Sequence, residues 1–287
     1  MRHNPTLLIC AILLLLGSAT LQAQTDSTDH GPWHHTMITG LNLTEVGFTH
    51  WAQGGTNALS YVAGINGKSV HEEAFTSWAT TYKLDFGQTK LGPGDIRKTD
   101  DEINIESMMI YKFGVHVNPY VAASLLTQFA RGYTYSDPDT AAPVQVSDFF
   151  DPAYLKQSAG MGWLVSKEFQ TRLGVALREV ITNHFTQYAA QPLESESTKI
   201  RVQGGLESVT EAEVPVDDNV LFRAKLDLFS PFKHLSRIVL HGETSLVAKI
   251  SKYFSTQLAA FFINDPDLSP YTQIKQGLSI GIIYAVL

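Results

Sequence analysis

The chain has almost no cysteine: Cys10 is the only one among 287 residues. It falls inside Met1–Ala23, which has the three parts of a secretory signal: a positive charge at Arg2, the apolar run Leu7–Leu16, and small residues before Ala23. Ten apolar residues are too few for a membrane anchor, which needs about 20. We therefore expect cleavage after Ala23. The mature chain would then contain no cysteine, which excludes disulfides, a thiol nucleophile and cysteine metal ligands.

A positive charge excess is also lacking. Lysine and arginine number 21 against 28 acidic residues, and the formal net charge is −7. A general nucleic-acid binder presents a basic surface to the phosphates. We therefore expect no nucleic-acid partner.

Helical periodicity is absent after the signal, and strand alternation takes its place. Apolar Phe222, Ala224 and Leu226 alternate with Arg223 and Lys225, and alternate residues of a strand point to opposite faces. Similar alternation predicts about twelve strands, at 36–46, 57–66, 72–87, 102–113, 119–134, 155–165, 169–183, 198–212, 218–230, 237–249, 253–264 and 273–287. Many are as long as a membrane-crossing strand, which needs about 9 to 11 residues. The fold class is all-β.

The predicted connections alternate in length. Short turns are expected at Asn66-Gly67, 114–118, 166–167, 213–217 and 251–252, and longer loops at 47–56, 88–101, 135–154, 184–197, 231–236 and 265–272. Short periplasmic turns and longer extracellular loops are typical of outer-membrane barrels. A soluble lipocalin-like barrel also alternates, but its charged face would lie outside and its strands would be shorter. We therefore predict a signal at 1–23, a periplasmic segment at 24–35, and a single antiparallel transmembrane β-barrel at 36–287.

Four motifs resemble an uncharacterised outer-membrane β-barrel family of the Bacteroidota, known as domain of unknown function 3078. They are Trp51-Ala52-Gln53-Gly54-Gly55, Lys98-Thr99-Asp100-Asp101, Thr127–Tyr133 and Ser147–Tyr154. The resemblance covers roughly residues 40 to 287. It implies a signal-bearing outer-membrane protein of unknown activity, and it supplies no catalytic residue.

Charged residues on the predicted inner face are the most informative candidates. They are Lys83, Asp85, Glu106, Lys112, Arg172, Arg178, Arg201, Glu207, Arg223, Lys225, Asp227, Glu243 and Lys249. They form either a plug of paired charges or a water-filled pore whose three surplus positive charges attract anions. Twelve strands lie between filled eight-stranded barrels and open sixteen-stranded porins. We expect a largely filled or narrowly permeable lumen.

Motifs for catalysis or metal binding are missing. The sequence contains no G-x-S-x-G elbow, no H-E-x-x-H pair and no phosphate-binding glycine loop. His50 and His184 offer residue types for a lipid hydrolase but no recognisable pattern. We expect no catalytic residue, metal or cofactor.

The function expected from these features is a non-enzymatic barrel in the outer membrane of a Gram-negative bacterium, acting as a narrow pore or uptake protein for small solutes. The alternative is a structural or surface-binding barrel that contacts partners through Trp51, Phe149, Phe150 and Tyr154. A lipid hydrolase is the third hypothesis. The expected partners are outer-membrane lipid, the barrel-assembly machinery during biogenesis, and a small solute.

Overall fold

The computed structural model describes residues 32–47, 57–135, 142–190, 198–251 and 253–285. The predicted signal and the loop candidate Trp51 lie outside the described residues. No helix within the described ranges is long and apolar enough to cross a membrane.

Twelve strands of the described residues close one antiparallel barrel. They are β1 (Trp33–Val46), β2 (Ala58–Glu72), β3 (Thr76–Leu91), β4 (Ile96–Tyr111), β5 (Val117–Thr127), β8 (Ala153–Leu164), β9 (Phe169–Ile181), β10 (Ile200–Asp217), β11 (Val220–Pro231), β12 (Val239–Lys249), β13 (Phe254–Asn264) and β14 (Gln273–Ala285). Two short strands, β6 (Gly132–Thr134) and β7 (Val144–Ser147), pair within the β5–β8 connection. The last strand, β14, pairs with β1 and closes the barrel. The predicted barrel of about twelve strands is confirmed.

Alternation along each strand places the apolar residues outside and the charged residues inside. In the β10–β11 pair, Glu211 lies opposite Lys225 on the inner face, while Thr210 lies opposite Leu226 on the outer face. The outer face carries many exposed large apolar side chains, among them Leu173, Leu206 and Leu258. An apolar outer surface around a polar interior is the pattern of a membrane-spanning barrel.

Aromatic side chains collect on the outer face near the short-turn end. The Trp33 ring lies 4.7 Å from His71 and 6.0 Å from Trp78, measured between centroids. Exposed Trp163 and Phe169 lie near the same end, on β8 and β9. Tryptophan and other aromatic residues prefer the membrane–water interface, so this belt marks one edge of the apolar surface.

Connections of different length separate the two ends of the barrel. The short ones are 73–75, 112–116, 165–168, 218–219 and 250–253 at one end, and the other end has 47–57, 92–95, 128–152, 182–199, 232–238 and 265–272. Because β1 begins at Trp33, the predicted periplasmic segment 24–35 includes the first three residues of the barrel.

Three predicted connections were wrong. Asn66 and Gly67 lie inside β2, where the outward Gly67 leaves room for the Tyr82 ring, which a Cβ would strike. The expected loop 88–101 is mostly strand, closed by the four-residue turn 92–95. The expected turn 213–217 belongs to β10, whose Pro215 stands at a register irregularity, a place where strands tolerate proline.

Candidate functional site in the barrel lumen

The strand register places twelve of the thirteen predicted lumen charges at inner positions. They are Lys83, Asp85, Glu106, Arg172, Arg178, Arg201, Glu207, Arg223, Lys225, Asp227, Glu243 and Lys249. Few apolar side chains are buried among the described residues, and three of them, Ala176, Phe229 and Val239, form a small cluster. The interior is therefore organised by charge more than by apolar packing.

A carboxylate on β4 connects opposite walls of the barrel. Glu106 Oε1 accepts a hydrogen bond from Arg172 Nη2 at 2.5 Å, and Glu106 Oε2 accepts one from Lys225 Nζ at 2.6 Å. Around the barrel, β4 is separated from β11 by five strand steps in one direction and seven in the other. The bridge between Glu106 and Lys225 therefore crosses the lumen.

The bridge continues into a buried network along β8–β10. Glu207 is fully buried, with Lys156 Nζ at 2.7 Å and Arg172 Nε at 3.4 Å. The Tyr120 hydroxyl donates to Glu207 at 3.2 Å, and Lys156 also pairs with Asp227. Positive and negative groups alternate through the network. Removing one member of a buried ion pair leaves the other charge buried and unpaired, which lowers the free energy of unfolding by about 3 to 5 kcal/mol.

A second group of charges lies on β3, β4 and β14. Lys83 Nζ is 3.1 Å from Glu102 and 3.6 Å from Asp85. The same ammonium lies 4.9 Å from the centroid of the Phe261 ring, within the range of a cation–π contact. Lys275 pairs with Asp100 and faces the same ring.

A third group lies toward the long-loop end. Arg178 pairs with Asp265 at 2.7 Å, while Asp267 receives Arg201 at 3.2 Å and Arg237 at 3.3 Å. Both aspartates belong to the 265–272 connection. Burial alone would raise the pKa of Asp265, but the Arg178 guanidinium and the backbone N–H of Asp267 hold this pKa below its ordinary value.

Buried charges fill the β8–β11 side of the lumen, and the strands of this side approach each other closely at two inward glycines. A Cβ added to Gly160 would lie 2.2 Å from the Leu173 carbonyl oxygen, and one on Gly205 would lie 2.4 Å from that of Ser230. Real Cβ atoms do not approach backbone so closely, so the paired strands leave room only for glycine at these two positions.

The side formed by β14, β1 and β2 is accessible. A Cβ on the inward Gly277 would meet nothing within 4 Å. Inward Ile38 is 42% exposed and the Lys275 side chain 55% exposed, and inward Asn66 is also exposed. The free part of the lumen is therefore off-centre and lies along this wall.

Three predicted lumen charges lie away from the network, at the short-turn end. Lys112 follows the end of β4 and pairs with Glu72, the last residue of β2. Arg223 pairs with Glu213 where both side chains are more than half exposed, and Lys249 is the exposed last residue of β12.

Several inner charges were missed by the sequence reasoning. Lys156 could have been found, since it alternates with apolar Leu155 and Ala159 on β8. Asp265 and Asp267 follow a strand end and carry no alternation signal. The inner positions also include the acids Asp100, Glu102, Glu211 and Glu213 and the bases Lys68 and Lys275. These additions reduce the predicted positive surplus.

The loop candidates that the structure describes do not all lie on a loop. Tyr154 is the second residue of β8 and faces inward, with the Arg178 guanidinium 6.0 Å from its ring centroid. The prediction that Tyr154 lies on a long loop was therefore wrong, because the strand begins at Ala153. Phe149 and Phe150 do lie exposed on the 128–152 connection, and Phe150 has a positive φ of 55°.

Two of the sequence motifs hold the 128–152 connection against the end of the barrel through hydrogen bonds. Lys98 Nζ contacts Asp101 at 2.7 Å and the Ala130 carbonyl at 2.8 Å. Asp101 in turn accepts the backbone N–H groups of Phe129 at 2.9 Å and Ala130 at 2.8 Å. The motifs 98–101 and 127–133 thus form one hydrogen-bonded unit.

The motif 147–154 ties the same loop to its neighbour. Buried Asp151 accepts the backbone N–H groups of Asn183 at 3.0 Å and His184 at 2.8 Å. Gln128 Nε2 donates to the Asp151 carbonyl at 3.1 Å. His184, considered above as a catalytic residue type, lies in this brace. Among the described residues, no group of three or more His, Cys, Asp or Glu could hold a metal ion.

These features define a transmembrane β-barrel with a charged, partly filled lumen. Residues 43–133 match the model of a family described as a protein of unknown function (DUF3078). This match confirms the resemblance found in the sequence motifs over that part of the chain. No curated protein sequence matches the chain significantly.

Solved structures of other barrels are similar to this chain. The translocator domain of the autotransporter NalP from Neisseria meningitidis is 12% identical, with 96% of this chain and 97% of that chain covered and a TM-score of 0.38. An outer-membrane channel from Pseudomonas putida F1 is 9% identical, with coverage of 88% and 93% and a TM-score of 0.40. The NanC porin is 9% identical, with coverage of 86% and 97% and a TM-score of 0.38.

Proposed function

We propose that the exported chain is a non-enzymatic outer-membrane protein that forms a narrow passage for small polar solutes. The observation that carries the proposal is the off-centre free space along β14, β1 and β2. This side presents small and polar inner residues, including Gly277 and Asn66, whereas the β8–β11 side is closed by packed charges. A lumen lined by ionisable groups and accessible to solvent supports permeation more than dry structural packing.

The charges along the passage favour small polar solutes and do not select strongly for one sign of charge. Lys275 on the accessible side pairs with Asp100, and on the adjoining strands β3 and β4 Lys83 lies close to Asp85 and Glu102. Mixed signs cancel over short distances, so the passage has a weaker overall field than a ring of like charges would produce.

Filling the free space tests the proposal. Gly277→Phe places a ring in the passage, and Gln276→Phe, one residue earlier on the outer face, adds the same ring to the lipid side. We expect wild-type protein and Gln276→Phe to conduct in planar bilayers, and Gly277→Phe to lose most of the conductance. The proportion of folded barrel is measured for each variant by the electrophoretic shift between unheated and heated samples.

Two results contradict the proposal. Absence of conductance in every folded sample would mean that the lumen is sealed. An equal loss in Gly277→Phe and Gln276→Phe would show that the free space at Gly277 does not carry the current.

The braced 128–152 connection supports a second candidate function, binding of a partner at the cell surface. Hydrogen bonds from Asp101 and Asp151 hold the loop, and exposed Phe149 and Phe150 stand on it. A photoreactive residue at position 149 should give a discrete cross-linked species on intact cells, whereas one at Phe75 in a short turn should not. Cross-linking that is identical at both positions, or absent at 149, contradicts surface binding.

A further inference from the structure

We infer that Arg178 and Arg201 form a binding site for the carboxylate of a small organic acid, now occupied by the chain's own aspartates. The inference rests on the proposed function and names a solute class for the passage. Its evidence is the burial of both arginines, their unused hydrogen-bond donors, and the origin of their present partners in one loop.

The two arginines lie side by side on the inner wall near the long-loop end. Arg178 on β9 faces Gln203 across the β9–β10 pairing, and Arg201 lies two residues before Gln203. Arg178 is 5% exposed and Arg201 is 1% exposed. Two adjacent buried guanidinium groups repel each other and require anions nearby, and a carboxylate matches their planar donor geometry.

The present partners leave much of this donor capacity unused. Arg201 uses Nη1, which lies 3.2 Å from both the Ala190 carbonyl oxygen and Asp267 Oδ2. Within the described residues, Arg201 Nε and Nη2 and Arg178 Nη1 are buried without a hydrogen-bond partner. A guanidinium carries five N–H donors, and buried donors without partners are unfavourable. Once Asp267 moves away from Nη1, the two oxygens of a solute carboxylate can bind Nη1 and Nη2 of Arg201 together.

An unpaired oxygen of Gln203 indicates which other group the solute carries beside its carboxylate. Gln203 Nε2 reaches Asp267 at 3.4 Å, whereas Gln203 Oε1 is buried without a partner. A solute hydroxyl beside the carboxylate would donate to this oxygen. The site therefore fits a small hydroxycarboxylic acid better than a simple inorganic anion.

Asp267 is the group that a solute would displace. Its Oδ2 faces Arg201 at 3.2 Å, while its Oδ1 faces Arg237 at 3.3 Å. The Arg237 pair can hold Asp267 after Arg201 is released, so the displaced charge keeps a partner. Asp265 is fully buried against Arg178 and stays in place. Asp267 thus acts as a tethered competitor that lowers the apparent affinity for solute carboxylates.

Calorimetric titration of the folded barrel in detergent with gluconate tests the inference, with glucose as the uncharged comparison and inorganic phosphate as the other anion. We expect gluconate to bind and glucose not to bind. Asp267→Asn removes the competitor and should raise gluconate affinity about tenfold. Arg201→Gln should reduce the affinity at least about tenfold, and Arg201→Lys should also weaken it, because a lysine keeps the charge but loses the planar fork.

Arg223→Gln is the matched control, since Arg223 also pairs with a glutamate but lies at the opposite end of the barrel. This variant should bind gluconate like the wild type. Failure of gluconate to bind, weaker binding in Asp267→Asn, or equal effects of the Arg201 and Arg223 substitutions would overturn the inference. Phosphate binding as tight as gluconate binding would overturn the assignment to carboxylates.

The titration is independent of permeation. If the protein conducts but does not bind gluconate, the carboxylate site is wrong and the proposed passage stands. If it binds gluconate with the expected dependence on Arg201 but does not conduct, the site stands and the passage is wrong.

Discussion

Replacement of Glu106 with glutamine tests the bridge across the lumen most directly. Glu106→Gln keeps the size of the side chain but removes the charge that binds Arg172 and Lys225. Both cations retain a second partner, because Arg172 still faces Glu207 at 3.4 Å and Lys225 still faces Glu211 at 3.1 Å. Breaking a fully buried pair costs about 3 to 5 kcal/mol, so we expect a loss of about 2 to 3 kcal/mol in the free energy of unfolding.

The assay has two readouts. Urea unfolding of protein in lipid vesicles, followed by tryptophan fluorescence, gives the free energy of unfolding. Planar-bilayer recording gives conductance, which should increase because the link between β4 and β11 no longer holds side chains across the lumen.

Glu213→Gln is the matched control for this change. Glu213 pairs with Arg223 at the exposed short-turn end, where an ion pair contributes about 0 to 1 kcal/mol. Equal stability and equal conductance of Glu106→Gln and Glu213→Gln would show that Glu106 does not link the two walls of the barrel.

The remaining predictions concern the lipid face, pH and sidedness. Leu258→Arg should prevent stable assembly, because an arginine on the lipid face near the membrane midplane costs about 2 to 4 kcal/mol. Gln257→Arg on the inner face should have a much smaller effect. Equal yields of folded barrel for the two variants would contradict the assigned faces. Because the pKa of Asp265 is lowered in the folded state, its stabilisation is complete above the unfolded value of about 3.9 and is lost as pH falls toward the folded value. Acid titration of stability should therefore show a component that Asp265→Asn removes, and an unchanged acid profile in that variant would disprove it. A membrane-impermeant maleimide should label Phe149→Cys but not Phe75→Cys on intact cells, because long loops face outward. The predicted mature chain has no other cysteine that could react. Labelling of Phe75→Cys alone would show that the topology is inverted.

Strand number and facing were predictable because they depend on local alternation. A strand exposes successive side chains to opposite faces, so apolar Phe222, Ala224 and Leu226 could be assigned to lipid, and Arg223 and Lys225 to the lumen, without knowledge of the pairing. Connections were harder to predict. Asn66-Gly67 has the composition of a tight turn, yet the small Gly67 accommodates the ring of Tyr82 from the neighbouring strand, which only the pairing reveals.

The sequence by itself determined a barrel with an apolar outside and a charged inside, because that pattern repeats within each strand. It could not determine which charges meet. Glu106 and Lys225 are 119 residues apart and meet because barrel closure brings β4 opposite β11. The exchangeable pairing of Asp267 with Arg201 and Arg237, and the free space beside Gly277, likewise exist only after closure. Ion pairs and cavities depend on distances between segments remote in sequence, and the tertiary structure alone sets those distances.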